Sequence, residues 1–207
     1  MAKNIKNDEN LKINEEIDEE TAEEIALRQE EKFSFSGFIY DWVGTLLIAF
    51  AVLLLVMAFF LRQITVNGSS MNDTLQNKDR LVVSSFMYEP SPGDIVVVTH
   101  GEKFDEPIIK RVIAVEGQHL EIDYFNNKVI VDGNVLDESY AKGITIRLTN
   151  STQIPDTIPK GYVFVMGDNR EDSLDSRSRK IGLIPVENII GKVIYRIYPF
   201  EKMGTVD

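Results

Sequence analysis

Between Trp42 and Leu61 the chain reads WVGTLLIAFAVLLLVMAFFL, twenty residues without a charge, bounded by Asp41 and Arg62. A helix rises about 1.5 Å per residue, so about 20 apolar residues cross a hydrocarbon core of roughly 30 Å. A buried helix of a soluble protein is the competing reading, but few run this far with nothing more polar than Thr45. A cleavable leader fits poorly. The run is longer than a leader's apolar core, it begins only at residue 42, and no small-x-small site follows within Arg62–Val66. The expectation is a retained transmembrane anchor over 39–62. Basic residues flank it on both sides, Arg28 and Lys32 before, and Arg62, Lys78 and Arg80 after. The positive-inside rule therefore leaves the orientation open.

The anchor divides two unlike segments. Residues 1–38 carry five Lys/Arg against eleven Asp/Glu, with Ile17, Ile25 and Leu27 as a thin apolar stripe. So little apolar surface cannot offset chain entropy, which makes a weakly helical or disordered acidic tail the expected state. Residues 63–207 carry the same sign of excess spread over a longer span, and the whole chain of 207 residues has a formal net charge of −11. Nucleic acid is therefore a poor partner. There is no cysteine, which excludes disulfides and thiolate chemistry. The two histidines, His100 and His119, stand apart with no HExxH spacing, so no metal or other cofactor is expected.

After Arg62 the texture turns to short runs rich in β-branched residues. Strands are expected at Leu81–Ser84, Asp94–Thr99, Ile108–Val115, Leu120–Tyr124, Lys128–Val131, Ile144–Leu148, Tyr162–Met166 and Lys192–Tyr198. Turn chemistry falls between them, at Pro90–Gly93, Glu116-Gly117, Asn126-Asn127, Asp132-Gly133 and Pro159–Gly161. Asn126-Asn127 marks a hairpin. Only short helical turns are expected, near Met71–Leu75 and Pro185–Ile189. The fold class is thus an all-β domain over 63–207 preceded by one transmembrane α-helix.

Three stretches carry candidate chemistry. The first, Gly68-Ser69-Ser70-Met71, offers two serines, and a serine nucleophile needs a base. Histidine is scarce, but a lysine serves if desolvation lowers its pKa far below about 10.4. The second stretch supplies one. By strand alternation Lys110 shares a face with Ile108, Val112 and Ala114, while Ile109, Arg111, Ile113 and Val115 share the other. Such a lysine either keeps its tip in water at a strand end or is buried for a reason, and periodicity alone favours the first. The third, Met166–Lys180, follows a strand and gathers Asp168, Asn169, Arg170, Asp172, Ser173, Asp175, Ser176 and Arg177. A polar surface loop has that composition too, although Gly-Asp-Asn straight after a strand sets turn-forming and hydrogen-bonding groups at fixed offsets.

Taken in order behind one anchor, GSSMNDTL (Gly68–Leu75), PGDIVVV (Pro92–Val98), IIKRVIAVEGQ (Ile108–Gln118) and GDNREDSLDSR (Gly167–Arg177) resemble the bacterial type I signal peptidases of the Ser-Lys kind, in their Gram-positive form. The resemblance spans nearly all of the chain after the acidic tail. It implies a signal-peptidase-like β fold and a membrane-anchored serine endopeptidase that removes signal peptides from exported preproteins. Ser70 would be the nucleophile and Lys110 the general base. Ser173 would hydrogen-bond the lysine, and Asp175, Arg177 and the neighbouring Asp168 would support the site. Val66, Met71, Leu75, Ile108 and Ile109 would line shallow pockets and pair with the peptide as an added strand. The tail would lie inside the cell and the catalytic domain outside, with the bilayer and signal peptides as partners and no metal required. His100 and His119 would have no role.

The sequence departs from the family pattern at three places. Some relatives place a serine hydroxyl two residues before the nucleophile, where this chain has Gly68. The usual Ser-Met-x-Pro-Thr-Leu reads Ser70-Met71-Asn72-Asp73-Thr74-Leu75 here, so Asp73 replaces a proline. That carboxylate would either hold a proton on Lys110 or point outward without effect. Glu116 stands where a proline is common. Two other readings compete: a non-catalytic relative that assists assembly of surface proteins, which would be expected to lack one member of the dyad, and a self-cleaving regulator, which the anchor and the lack of a helix-turn-helix disfavour.

Overall fold

Phe35–Phe60 forms one helix, α1. It contains no proline, and Leu, Ala, Met and Phe dominate it. In the computed structural model, which describes residues 35–99, 104, 106–148 and 150–206, the span Phe38–Phe60 is long and apolar enough to cross a membrane, and none of its most apolar window is buried against protein. Leu46, Leu47, Leu55 and Phe59 are all exposed, so the helix is apolar all round rather than striped, unlike a helix that packs on a soluble core. The expectation for the acidic tail falls almost wholly on residues 1–34, outside the described residues. The helix starts at Phe35, ahead of residue 39, and ends before Leu61. The apolar run hid a change of structure there, because hydropathy does not distinguish the last turn of a helix from the first residue of a strand.

The chain divides into two compact units, 1–55 and 56–207. The second is a β domain whose ladders are all antiparallel. Its larger sheet has eight strands: β1 (Leu61–Thr65), β2 (Arg80–Ser84), β3 (Ile95–Val98), β4 (Ile108–Val115), β8 (Tyr162–Met166), β9 (Ile184–Pro185), β10 (Ile189–Tyr198) and β11 (Gly204–Thr205). Their order is β1-β2-β10-β3-β4-β8-β9, with β11 pairing β10. The smaller sheet runs β5 (Leu120–Asp123), β6 (Lys128–Val131), β7 (Asn134–Val135). Central position explains the composition of β3. Ile95 and Val97 pack in one apolar cluster with Leu81, Val83 and Val193, and Val96 and Val98 in another with Val112 and Val165. A strand covered on both faces needs an unbroken apolar run.

The strands expected at Ile108–Val115, Lys128–Val131 and Tyr162–Met166 form over those residues, and the hairpin at Asn126-Asn127 closes as expected. The Asp123 carboxylate accepts from the Phe125 and Asn126 amides, and Asn127 takes a left-handed φ of 54°. Four short strands, β1, β7, β9 and β11, were not expected. One expected strand is absent: Ile144–Leu148 has no ladder. Side chains satisfy its backbone instead, since the Thr145 amide donates to Asn127 Oδ1 at 2.6 Å and Arg177 donates to the Ile146 carbonyl at 3.2 Å. β-branched residues suit such a half-buried path as well as they suit a ladder.

Candidate active site

Ser70 stands in the loop between β1 and β2, which is cinched at its base. The Val66 amide donates to Asp79 O at 2.8 Å and the Lys78 amide to Val66 O at 2.9 Å. Val66, Met71 and Leu75 sink into the core and fix the loop from below. From the other side Asn169, in the loop after β8, donates its amide to the Ser70 carbonyl at 3.0 Å and its side-chain Nδ2 to the Ser69 carbonyl at 3.2 Å. β4 brings Lys110 under this loop. Its Nζ lies 2.7 Å from Ser70 Oγ and 2.9 Å from the carbonyl oxygen of Ile109. The side chain does not snorkel. Lys110 is only 3 % exposed.

Burial disfavours the ammonium form and brings the pKa of Lys110 down to about 8, against the smaller opposing pull of Asp175 and Asp168. Each of those carboxylates is itself held by an arginine. Asp175 accepts two hydrogen bonds from Arg177, both at 2.8 Å, and Asp168 two from Arg111, at 2.9 and 2.8 Å. All four residues are buried. The fork of a guanidinium matches a carboxylate, and pairing spends much of the negative charge locally. Without the arginines, two bare anions near Lys110 would hold its proton far more firmly.

The resemblance named Asp175 and Arg177 together, and these two do pair; Arg111 was overlooked. The signal was present: in PIIKRVIAV a second cation interrupts an apolar strand on the face opposite Lys110. Arg111 also donates to Gly93 O at 2.8 Å and stacks 4.0 Å over the Tyr140 ring, so one strand delivers a base to one side and an anchor for Asp168 to the other. Thr74 completes that anchor by donating to Asp168 at 2.5 Å.

Two expectations need correction, and one left open is decided. Ser173 is buried, but its Oγ makes no hydrogen bond, and Lys110 Nζ bonds Ser70 and Ile109 instead. The hydroxyl packs on Gly167 instead. A Cβ at Gly167 would lie 2.2 Å from Ser173 Oγ and 2.4 Å from the Ser70 carbonyl oxygen, so only glycine lets the two loops meet. Leu75 is 0 % exposed and belongs to the core rather than to a pocket wall. Asp73 points outward and pairs with Lys142 at 3.0 Å, with both side chains largely exposed. An exposed pair contributes under about 1 kcal/mol, so Asp73→Asn is expected to shift the stability read from urea unfolding by less than that. Glu116 accepts from the Gly161 amide at 2.8 Å and so braces the turn before β8. Gly68, with φ 110°, donates its amide to Asn77 Oδ1 at 3.2 Å and brings no hydroxyl. His119 sits at a turn, its amide bonded to Asp132 at 2.8 Å, and His100 lies outside the described residues.

A cleft of about 430 Å³ opens beside the pair. Its walls are the segment from Ile64 to Met71 and the segment from Glu106 to Lys110, with Val66, Met71, Ile108 and Ile109 among the lining residues. Ser70 and Lys110 stand near the C-terminal ends of these two segments. β1 pairs with β2 alone, and β4 pairs with β8 only from Arg111 onward, so among the described residues Ile108–Lys110 keeps one backbone edge without a strand partner. Two strand edges flanking a cleft with apolar side chains among its lining suit an extended peptide.

The family model described as signal peptidase, peptidase S26, matches residues 39–198. Signal peptidase IB of Staphylococcus aureus (strain COL) is 35 % identical over 181 residues, covering 79 % of this chain and 92 % of that one. Signal peptidase I of Bacillus licheniformis is 29 % identical over 191 residues, covering 87 % and 100 %. The crystal structure of a signal peptidase I from Enterococcus faecalis aligns with a TM-score of 0.41 at 23 % identity, over 51 % of this chain and 97 % of that one.

Proposed function

The chain belongs to the signal peptidase family, peptidase S26, and from that membership we propose that it is a membrane-anchored serine endopeptidase that removes signal peptides from exported preproteins through Ser70 and Lys110. One observation carries the assignment of roles: a lysine 3 % exposed, with its Nζ 2.7 Å from a serine Oγ that lines a cleft.

Neutral Lys110 takes the proton of Ser70 Oγ as that oxygen attacks the scissile carbonyl carbon. The resulting ammonium gives the proton to the leaving amine as the C–N bond breaks, which leaves an ester on Ser70. Lys110, neutral again, then takes a proton from water, whose oxygen attacks the ester. The ammonium returns that proton to Ser70 Oγ as the ester C–O bond breaks, releasing the signal peptide as a carboxylic acid and leaving Lys110 neutral. The logic is that of the Ser-His-Asp triad with lysine as base. The Ser70 amide would hold the developing oxyanion, and Gly68 adds no side-chain donor. Asp175, Arg177 and Asp168 would support the base rather than touch substrate. Val66, Met71, Ile108 and Ile109 would receive the small residues that precede the cut, while the peptide backbone pairs along the free edge of β4.

The helix Phe38–Phe60 would span the bilayer, with residues 1–38 inside the cell and 63–207 outside, where exported substrates emerge still bound to the membrane. An assembly factor without catalysis remains the second reading. The contact between Ser70 and Lys110 disfavours it, since a chain without catalysis has no use for a buried lysine at that distance. The test is cleavage of a preprotein with an Ala-x-Ala site by the full chain in detergent, with Ser70→Ala as the blank. Cleavage after the second alanine, absent in the variant, is expected. A folded wild type inert on several preproteins would favour the assembly factor.

A further inference from the structure

Ser69, the serine that is not the nucleophile, is held as firmly as its neighbour. Its Oγ donates to Asp172 Oδ2 at 2.5 Å, a bond that crosses 103 positions of sequence. Its carbonyl accepts from Asn169 Nδ2 at 3.2 Å and from the Asn72 amide at 3.0 Å. In a trans peptide the C=O of one residue and the N–H of the next point in opposite directions. Fixing the Ser69 carbonyl and side chain therefore fixes where the Ser70 N–H points. That N–H makes no hydrogen bond among the described residues, and Ser70 lines the cleft.

Restraint matters more here than in a site with two oxyanion donors. Gly68 supplies no hydroxyl, and with a φ of 110° and no Cβ contact it leaves the backbone just upstream of Ser69 freer to rotate than any other residue would. The carboxylate of Asp172 takes up that freedom. It belongs to the loop that also bonds Ser70 O through the Asn169 amide, and the Asp172 amide closes a turn on Asn169 O at 3.2 Å, so one rigid piece grips both sides of the Ser69–Ser70 peptide. We propose that Asp172 is a positioning residue that, through Ser69, aims the Ser70 N–H at the oxyanion formed during cleavage. This rests on the Ser70–Lys110 reading above. Asp172 works as a hydrogen-bond acceptor and not as a charge, since a negative charge near an oxyanion would oppose it; the side chain is exposed, and solvent and salt weaken that opposition.

The experiment uses the full chain in detergent and a peptide substrate spanning an Ala-x-Ala site. Asp172→Ala and Ser69→Ala are each expected to lower kcat about 10- to 100-fold with KM within about twofold, because a misaimed donor loses part of what a deleted one would. The double variant should be no slower than the slower single one. Asp172→Asn, whose amide oxygen still accepts, should stay within about threefold of wild type. A peptide boronate ending in alanine, which forms a tetrahedral adduct with Ser70, should bind Asp172→Ala about 10- to 100-fold more weakly, while an uncleavable peptide binds both alike. Unchanged kcat in Asp172→Ala, multiplicative losses in the double variant, an equal loss in Asp172→Asn, or a loss carried by KM would each overturn the clamp and leave the dyad standing. An inert wild type would overturn the dyad reading, and the clamp with it.

Discussion

Lys110→Met is expected to lower preprotein cleavage by at least about 10³-fold and at the same time to make the domain more stable at pH 7. The loss follows from removing the amine that, among the described residues, hydrogen-bonds Ser70 Oγ. The gain follows from the same burial. In the folded chain Lys110 has a pKa of about 8, against the ordinary lysine value of 10.5. Between those values the unfolded chain binds a proton that the folded one has released, so stability rises with pH across that window. Below pH 8 the lysine is charged in both states, and the folded chain bears the full cost of desolvating it. That cost is on the order of 3 kcal/mol, less the hydrogen bonds that Nζ makes. Methionine has a similar length and no charge. Thermal unfolding in detergent should show a melting temperature several degrees above wild type at pH 7, with the gain shrinking toward pH 10. A variant less stable than wild type at pH 7 would mean that the lysine is not held at a cost.

The second large effect is on stability in the other direction. Asp175→Ala is expected to cost about 3–5 kcal/mol, because it strands the Arg177 guanidinium, 0 % exposed, without its anion. Domains are commonly stable by only about 5–15 kcal/mol, so much of the folded margin would go. Asp175 also accepts from the Gly167 amide at 3.0 Å, so the loop that meets Ser70 would loosen as well. Arg177→Met acts on chemistry too. It would leave the Asp175 charge free to favour the ammonium of Lys110 and push the rise of activity to higher pH. Replacing both with apolar residues should cost less than Asp175→Ala alone. Urea unfolding midpoints read the difference, and a cost below about 1 kcal/mol for Asp175→Ala would show that the pair is not a buried one.

How far the sequence could be read depended on whether the deciding contacts were local. β4 and β8 were legible because short runs rich in β-branched and aromatic residues between turn residues leave few alternatives, and the helix because few soluble helices run that far without a charge. Lys110 was not legible from alternation, which favoured a tip in water. Its burial is imposed by the loops around Ser70 and Asn169, which fold over it from 40 and 59 positions away. Only the resemblance to a known family assigned its partner. β1 was lost inside the end of the apolar run, and Ile144–Leu148 was misread because its β-branched residues meet side chains instead of a ladder. The supporting shell shows the same limit. Asp175 and Arg177, two apart, were paired through the resemblance, whereas Arg111 and Asp168 meet across 57 positions. Asp73 could be read either way, and its direction was decided by Lys142, a residue with no sequence signal.

The role of Lys110 as a neutral base is tested most directly by the pH dependence of kcat/KM for preprotein cleavage, which reports the ionisation of the free enzyme. Cleavage by the wild-type chain should rise tenfold per pH unit at low pH, bend near pH 8 and level off above it, with no such bend in the residual rate of Lys110→Met. A profile flat from pH 6 to 9, or one still climbing toward the ordinary lysine value near 10.4, would contradict a desolvated lysine acting on Ser70.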